Sequence, residues 1–242
     1  MFDIKKLTKE SFGKYFEGTW GHQTLLYWLD EDLERGIQEA IKYNYRSYIG
    51  PVEFIPEAKK RLKGTGIKVL GPFSYPNGNY PTEDKIKQLE RVMDLGADTC
   101  DGCLSMNDIK NHRWEKIEKE VEKIMDFAKN KNPNIEIKLI VEFGYLTDAE
   151  ILQVAKICDK CKVDVLKMGT GWREGDGTSV RKVKLVKKNY PNLRLKGVSG
   201  QFSLANIIDF LEAGVEIIGS SSCDKLLAEW DEYFEMKEKG YY

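Results

Sequence analysis

The chain of 242 residues has about the length of one (β/α)8 barrel, for which ~250 residues are typical. Its formal net charge of −1, from 38 basic and 39 acidic residues, provides no long-range field to attract nucleic acid or an anionic membrane. Hydrophobic residues make up 41% of the chain. No run approaches the ~18 apolar residues that span a bilayer, and the first residues lack the apolar core of a secretion signal, so no cleavable leader is expected. We therefore expect a cytoplasmic enzyme with no nucleic-acid or membrane partner.

Short β-like runs alternate with amphipathic stretches along the whole chain. The pattern predicts an opening helix over roughly residues 8–17. Strands are then predicted at 24–26, 45–49, 67–71, 98–104, 136–142, 163–168, 193–198 and 216–219. Helices are predicted near 30–43, 55–63, 82–94, 112–130, 147–159, 177–189, 203–213 and 223–238, with a capping box of Thr147 and Glu150 at the start of the fifth of these.

Eight βα units in one undivided chain predict a single α/β domain over residues 1–242. The expected architecture is a closed (β/α)8 TIM barrel with a short N-terminal helix. An open, doubly wound sheet is the alternative, because periodicity alone does not show closure. In a barrel, chemistry occurs at the C-terminal ends of the strands.

The five cysteines include two pairs with CxxC spacing, Cys100 with Cys103 and Cys158 with Cys161, beside Cys223. This spacing raises the alternative of a four-thiolate zinc site. The first pair falls on one predicted strand, where residues three apart face opposite sides. The second pair falls near the other end of the barrel. We therefore expect reduced structural thiols and no metal.

Two lysines end neighbouring predicted strands, Lys167 on the sixth and Lys196 on the seventh. A buried lysine is either a structural group paired with a carboxylate or a desolvated nucleophile that attacks a carbonyl. If both side chains point inward, the charge of Lys196 is expected to lower the pKa of Lys167 and leave a free amine.

Other polar residues end the fourth and fifth strands. Asp101 is a candidate for proton transfer at the substrate, with a structural lysine-paired carboxylate as the alternative. Lys138 and Glu142 alternate on strand five, where an ion pair is as well supported as a catalytic role. Glycine-bearing loops follow strands six, seven and eight at 169–171, 199–201 and 219–222, and such loops at helix N-termini bind anions.

Several segments together resemble the deoxyribose-phosphate aldolase family, within the class I aldolase barrels. They are K-L-I-V-E-F-G-Y-L-T-D-A-E (138–150), D-V-L-K-M-G-T-G (164–171), L-K-G-V-S-G (195–200) and G-S-S-S (219–222). Residues 73–78 and the helix lysine Lys85 resemble that family's G-F-P-x-G segment and the lysine after it. Order and spacing agree over roughly residues 22–223.

The resemblance implies roles for individual residues. Lys167 matches the Schiff-base lysine, Asp101 the catalytic aspartate and Lys196 the second lysine that tunes the first. Seven residues fall in the substrate- and phosphate-binding loops: Thr170, Gly171, Ser199, Gly200, Gly219, Ser220 and Ser221. The implied reaction joins acetaldehyde to glyceraldehyde 3-phosphate reversibly, with no cofactor or metal. The implied ligand is a small sugar phosphate or aldehyde, and the implied assembly is a homodimer.

The sequence also departs from the family pattern. The family's D-H-T-L-L strand is replaced by H-Q-T-L-L at 22–26, so a carboxylate of the proton-relay network is expected to be missing. The S-G-G-x-R loop is replaced by S-G-Q-F-S at 199–203. Two alternatives therefore stay open: a class I aldolase or transaldolase-like enzyme with another donor, and a non-catalytic sugar-phosphate-binding barrel. Tyr242 is a further candidate, because in the family the C-terminal tail can reach the site.

Overall fold

The computed structural model describes residues 2–19, 27–171, 179–198, 203–220 and 223–241. Its strands are β1 (Phe16–Thr19), β2 (Ser47–Ile49), β3 (Lys68–Phe73), β4 (Thr99–Cys103), β5 (Glu136–Ile140), β6 (Val165–Lys167), β7 (Leu195–Val198) and β8 (Ile217–Ser220). They pair in parallel in chain order, and β8 pairs with β1. The predicted closed (β/α)8 barrel is confirmed, and the open sheet is excluded.

Helices cover the outside of the barrel. They are α1 (Lys9–Phe12), α2 (Asp30–Lys42), α3 (Ile55–Arg61), α4 (Thr82–Asp94), α5 (Met106–Lys110), α6 (Trp114–Lys131), α7 (Asp148–Lys160), α8 (Val180–Asn189), α9 (Leu204–Ala213), α10 (Cys223–Ala228) and α11 (Trp230–Glu238). In α6, Ile117, Val121, Ile124 and Ala128 recur at helical spacing, and all are buried. The predicted capping box of Thr147 and Glu150 opens α7.

No helix among the described residues is long and apolar enough to cross a membrane.

The prediction for the first strand is wrong. The expected helix over 8–17 ends at Phe12, and a 3₁₀ turn over Gly13–Tyr15 leads directly into β1. Residues 24–26, where strand one was predicted, lie outside the described residues. The pattern failed because β1 places the charged Glu17 towards the barrel axis. Its sequence, Phe-Glu-Gly-Thr, therefore lacks the apolar run expected of a buried parallel strand.

The barrel interior is charged, whereas its outer wall is apolar. Five ionisable side chains from the strands are almost completely buried inside it: Glu17, Asp101, Lys138, Lys167 and Lys196. Branched apolar residues more commonly fill this space in (β/α)8 barrels. The apolar core lies between strands and helices instead. The interior is therefore a polar network whose charges must compensate one another.

The network reaches the N-terminal ends of the strands through Glu136, the first residue of β5. Its Oε2 lies 2.7 Å from Arg46 Nη2 and 2.9 Å from Arg194 Nη1. Burial opposes ionisation of Glu136, but Lys138 and the two arginines outweigh that cost and lower its pKa to about 2. The carboxylate form is thus favoured by folding.

This depressed pKa predicts a stability that depends on Glu136 and on pH. The contribution is present above the ordinary value of 4.5 and is lost as pH falls towards 2. Glu136→Gln is expected to lower the free energy of unfolding at pH 7 by on the order of 2 kcal/mol, with a smaller deficit at pH 3. Denaturant titrations at both pH values measure this, with the exposed Glu238→Gln as control. An equal deficit at both values would contradict the assignment.

Candidate active site

Three predicted site residues meet at the C-terminal ends of β4, β6 and β7. Lys167 and Lys196 are paired in register on adjacent strands. Both amines converge on one oxygen, Asp101 Oδ2, at 3.0 Å from Lys167 Nζ and 2.7 Å from Lys196 Nζ. The exposed fractions of Lys167, Asp101 and Lys196 are only 5%, 1% and 0%. Two lysines and a shared carboxylate therefore form a cluster below the barrel mouth that is almost inaccessible to solvent.

Lys138 and Glu17 extend this cluster inward. Lys138 Nζ lies 3.1 Å from Asp101 Oδ1 and 3.3 Å from Glu17 Oε1, and Lys196 Nζ also donates to Glu17. The expectation of a missing carboxylate is therefore corrected, because Glu17 supplies one from β1. Sequence reasoning missed Glu17 because it placed this residue at the end of a helix.

The two carboxylates remain ionised in spite of their burial. Burial alone would raise the pKa of Asp101, but Lys138, Lys196 and Lys167 hold it well below its usual range. Burial opposes ionisation of Glu17 as well, and Lys138 and Lys196 lower its pKa. At neutral pH Asp101 is therefore a carboxylate that accepts hydrogen bonds and has no proton of its own to donate.

The two lysines at the mouth differ in the direction of their pKa shifts. Burial disfavours the charge on Lys167, but Tyr75 and Asp101 outweigh it and raise the pKa of Lys167 above its usual value. For Lys196, burial and the charges of Lys167 and Lys138 prevail over Asp101 and Glu17, and the pKa is lowered. The raised pKa of Lys167 is opposite to the expectation that Lys196 would lower it. The difference arises because Lys167, and not Lys196, contacts the hydroxyl of Tyr75.

Tyr75, in the segment between β3 and α4, is a second residue that sequence reasoning did not place in the site. Lys167 Nζ donates to Tyr75 Oη at 3.2 Å, and Tyr75 Oη donates to Thr170 O at 3.3 Å. The available signal was the tyrosine within residues 73–78, the segment that resembles G-F-P-x-G. The nearby Lys85 is bound elsewhere, by Glu120 and the carbonyl of Cys103 behind the barrel wall.

The predicted binding loops surround this cluster where they are described. Thr170 and Ser220 are buried at the mouth, and Thr170 donates to Glu142 from its backbone at 2.9 Å and from its hydroxyl. Gly219 allows Lys196 to approach, since a Cβ there would lie 3.2 Å from Lys196 Cε. Gly171 follows with a φ of 78°. Other candidates lie outside the described residues: Ser199, Gly200, Ser221 and Tyr242.

All five cysteines are free thiols, and four of them are buried. Among the described residues, which include every cysteine, no group of three or more His, Cys, Asp or Glu side chains is arranged to hold a metal ion. The four-thiolate zinc alternative therefore has no support in the geometry of these side chains.

Comparison with known proteins identifies the family. No protein-family model matches the chain. The deoxyribose-phosphate aldolase of Carboxydothermus hydrogenoformans is 31% identical over 192 residues, which cover 79% of this chain and 84% of that protein. The chain belongs to the deoxyribose-phosphate aldolase family. The Clostridioides difficile enzyme of the same name is 30% identical over 202 residues, 83% of this chain and 90% of that protein.

A solved structure agrees with the family assignment at the level of the fold. The tetrameric deoxyribose phosphate aldolase from Aeropyrum pernix superimposes with a TM-score of 0.82 at 21% identity, covering 95% of each chain. As a member of the deoxyribose-phosphate aldolase family, the chain is a lyase of the aldolase class, which acts on carbon–carbon bonds. The cluster of Lys167, Lys196 and Asp101 is its candidate active site.

Proposed function

We propose that this aldolase reversibly cleaves 2-deoxy-D-ribose 5-phosphate to acetaldehyde and glyceraldehyde 3-phosphate through a Schiff base on Lys167. The observation that carries the proposal is the shared contact of two buried lysines with Asp101 Oδ2. A single lysine paired with a single carboxylate would satisfy a structural role. A second amine on the same oxygen provides a place for a proton to go, which carbonyl chemistry requires.

The first step generates the nucleophile. Lys167, with its raised pKa, holds a proton at neutral pH, whereas Lys196 releases its proton at a lower pH. When Lys196 is in its neutral form, it accepts the proton of Lys167 by way of Asp101 Oδ2, since both amines bind that oxygen. The transfer is uphill, and addition of the free amine to the substrate carbonyl draws it forward. Lys196 thus activates Lys167 by accepting its proton.

The covalent steps follow from iminium chemistry. The amine of Lys167 adds to the aldehyde carbon of the open-chain sugar phosphate, and loss of water gives an iminium ion. The hydroxyl on the third carbon gives its proton to a water molecule, which later returns a proton to the enamine. The bond between the second and third carbons breaks, and its electron pair forms that enamine as glyceraldehyde 3-phosphate leaves. Protonation of the enamine and hydrolysis release acetaldehyde and restore the lysine.

The loops at the mouth are proposed to hold the phosphate-bearing part of the substrate. Backbone amides and hydroxyls at helix N-termini are suited to anions, and barrels often bind phosphate after strands seven and eight. Gly219 and Ser220 at the end of β8 are in the described part of this region. Roles for Thr170, Gly171, Ser199, Gly200 and Ser221 rest on the family resemblance.

One trapping experiment tests this proposal against its alternatives. The protein is incubated with acetaldehyde, and separately with dihydroxyacetone, then reduced with borohydride and analysed by intact mass and peptide mapping. We expect a two-carbon adduct on Lys167. A three-carbon adduct alone would indicate a ketose-type donor. No adduct in folded protein would favour a non-catalytic sugar-phosphate-binding barrel and overturn the proposal.

The assembly state is proposed to be a homodimer, which the family resemblance implies. The tetramer is a property of the Aeropyrum pernix protein. Light scattering coupled to size-exclusion chromatography gives the mass in solution, to be compared with the 27.9 kDa of one chain. A mass of one or four chains would contradict the dimer.

A further inference from the structure

The group beside Lys167 on the mouth side is a phenol. Tyr75 Oη lies 3.2 Å from Lys167 Nζ, and Asp101 Oδ2 lies 3.0 Å from the same nitrogen. Asp101 is buried within the barrel, whereas Tyr75 follows the C-terminal end of β3 and is only partly buried. Among the described residues, Tyr75 therefore places a hydroxyl beside Lys167 on the side from which a substrate carbonyl approaches.

The chain holds Tyr75 at this place through specific contacts of its loop. The backbone N–H of Ser74, a buried residue with φ of 58°, donates to Gln88 Oε1 at 2.8 Å. Gly78 N donates to Ser74 O at 3.0 Å, and a Cβ at Gly78 would collide with the carbonyl of Leu104. These loop contacts fix the backbone at Tyr75 and thereby place the phenol beside Lys167.

The protonation states leave Tyr75 as the acid. Within the described part of the chain, two side chains lie within hydrogen-bond distance of Lys167 Nζ, those of Asp101 and Tyr75. Asp101 stays ionised and has no proton to donate. Burial raises the pKa of Tyr75 above its usual value, so its hydroxyl keeps its proton at neutral pH.

We propose that Tyr75 is a catalytic residue that donates its phenolic proton to the oxygen of the carbonyl bound at Lys167. This role rests on the Schiff-base function proposed above and deepens it. The oxygen of a carbinolamine is bonded to the carbon that Nζ attacks, so a hydroxyl already in contact with Nζ is close enough to reach it. In the G-F-P-x-G segment of the family pattern, the position of Tyr75 holds a phenylalanine, which has no such proton.

The proton and electron changes balance in the direction of synthesis from acetaldehyde. As the free amine of Lys167 forms the N–C bond, the carbonyl π pair moves to oxygen, which takes the proton of Tyr75. The phenolate then takes a proton from the cationic nitrogen, giving a neutral carbinolamine and an intact phenol.

The same phenol next protonates the carbinolamine hydroxyl. The C–O bond breaks, water leaves, and the nitrogen lone pair forms the C=N bond of the iminium ion. The phenolate regains its proton from the methyl carbon next to the iminium carbon, and the C–H electron pair forms the enamine. Tyr75 ends the sequence in its starting state.

Removing only the hydroxyl tests the proposal. Tyr75→Phe is expected to slow formation of the acetaldehyde adduct on Lys167 by on the order of 10²-fold or more. The rate is measured by rapid quench with borohydride, which traps the adduct. The KM for 2-deoxy-D-ribose 5-phosphate and the melting temperature should stay close to wild type. Tyr80→Phe is the matched control, because Tyr80 is an exposed residue whose hydroxyl donates to the carbonyl of Tyr75 at a long 3.5 Å. This variant should form the adduct at the wild-type rate.

A graded series separates proton donation from packing. Fluorinated tyrosines at position 75 keep the ring and the hydroxyl but make the phenol more acidic, so the rate of adduct formation should change steadily with phenol acidity. A Tyr75→Phe variant that forms the adduct as fast as wild type, or a fluorotyrosine series with constant rate, would overturn the role of Tyr75 alone. A wild-type protein that forms no adduct would overturn the Schiff-base function and this role with it.

Discussion

Replacing Lys167 with alanine is expected to abolish the borohydride-trapped adduct and to lower turnover of 2-deoxy-D-ribose 5-phosphate by about 10⁴-fold or more. The proposed reaction passes through a covalent bond to Lys167 Nζ, and within the described part of the chain the other two buried amines at this end do not face Tyr75. Lys196 and Lys138 instead donate inward, to Glu17 and Asp101. Neither is placed to replace the nucleophile.

Two variants separate the nucleophile from its charge and from general effects of substitution. Lys167→Arg keeps a positive charge beside Asp101 but provides no free amine, because arginine is not deprotonated in proteins. It should therefore fold and yet remain untrappable. Lys156→Ala removes an exposed lysine from α7 and should leave turnover unchanged. Adduct formation at another lysine in Lys167→Ala, with turnover retained, would show that the nucleophile is misassigned.

Asp101→Asn is expected to lower kcat by about 10²–10⁴-fold, to retain slow adduct formation and to destabilise the fold by about 3–5 kcal/mol. Asp101 accepts from Lys167 and Lys196 and lies 3.1 Å from Lys138. Without its charge, the three buried amines keep, among the described residues, Glu17 and the more distant Glu136, which lies 3.5 Å from Lys138 Nζ. The protein can relieve this repulsion by releasing a proton from one lysine, and this favours the neutral amine. The substitution also removes the carboxylate through which a proton passes between Lys167 and Lys196.

The pH dependence of trapping makes this prediction specific. Since Asp101 raises the pKa of Lys167, its loss should shift the rise in adduct formation with pH towards lower pH. Asp164→Asn is a suitable control, because Asp164 is also paired with a lysine, Lys129 at 2.7 Å, but lies at the opposite end of the barrel. It should lose stability without a change in the pH profile. An unshifted profile in Asp101→Asn would contradict the charge coupling.

The fold could be predicted because its signal is repeated eight times. Five of the eight strands lie within the predicted segments, and β3 and β8 overlap theirs but end two residues and one residue later. The number of units favoured closure over an open sheet. The exceptions have a common cause in tertiary contacts. β1 is specified by what Glu17 binds inside the barrel rather than by an apolar run. The long C-terminal helix predicted over 223–238 divides at Glu229, whose carboxylate accepts from Leu204 N at 2.7 Å.

The site could be predicted in its membership but not in its electrostatics. Strand ends and family spacing were sufficient to select Lys167, Asp101 and Lys196. The direction of each lysine's pKa shift depends on the folded surroundings. Tyr75 and Asp101 raise the pKa of Lys167, whereas burial lowers that of Lys196 against the opposing charges of Asp101 and Glu17. A one-dimensional pattern does not encode those surroundings, so the like-charge effect was assigned to the wrong amine.

The contact between Lys196 and Glu17 joins residues 179 positions apart, across the seam where β8 meets β1. During synthesis, the first strand waits unpaired on one edge until nearly the whole chain has emerged. Until then Lys196 has no interior partner on that side, and the buried charges are out of balance. Closure of the sheet therefore also brings Glu17 to Lys196 and completes the charge balance of the reactive centre. A chain that ends before β8 would hold Lys167 in an open, hydrated sheet, because the pairing of β8 with β1 closes the barrel.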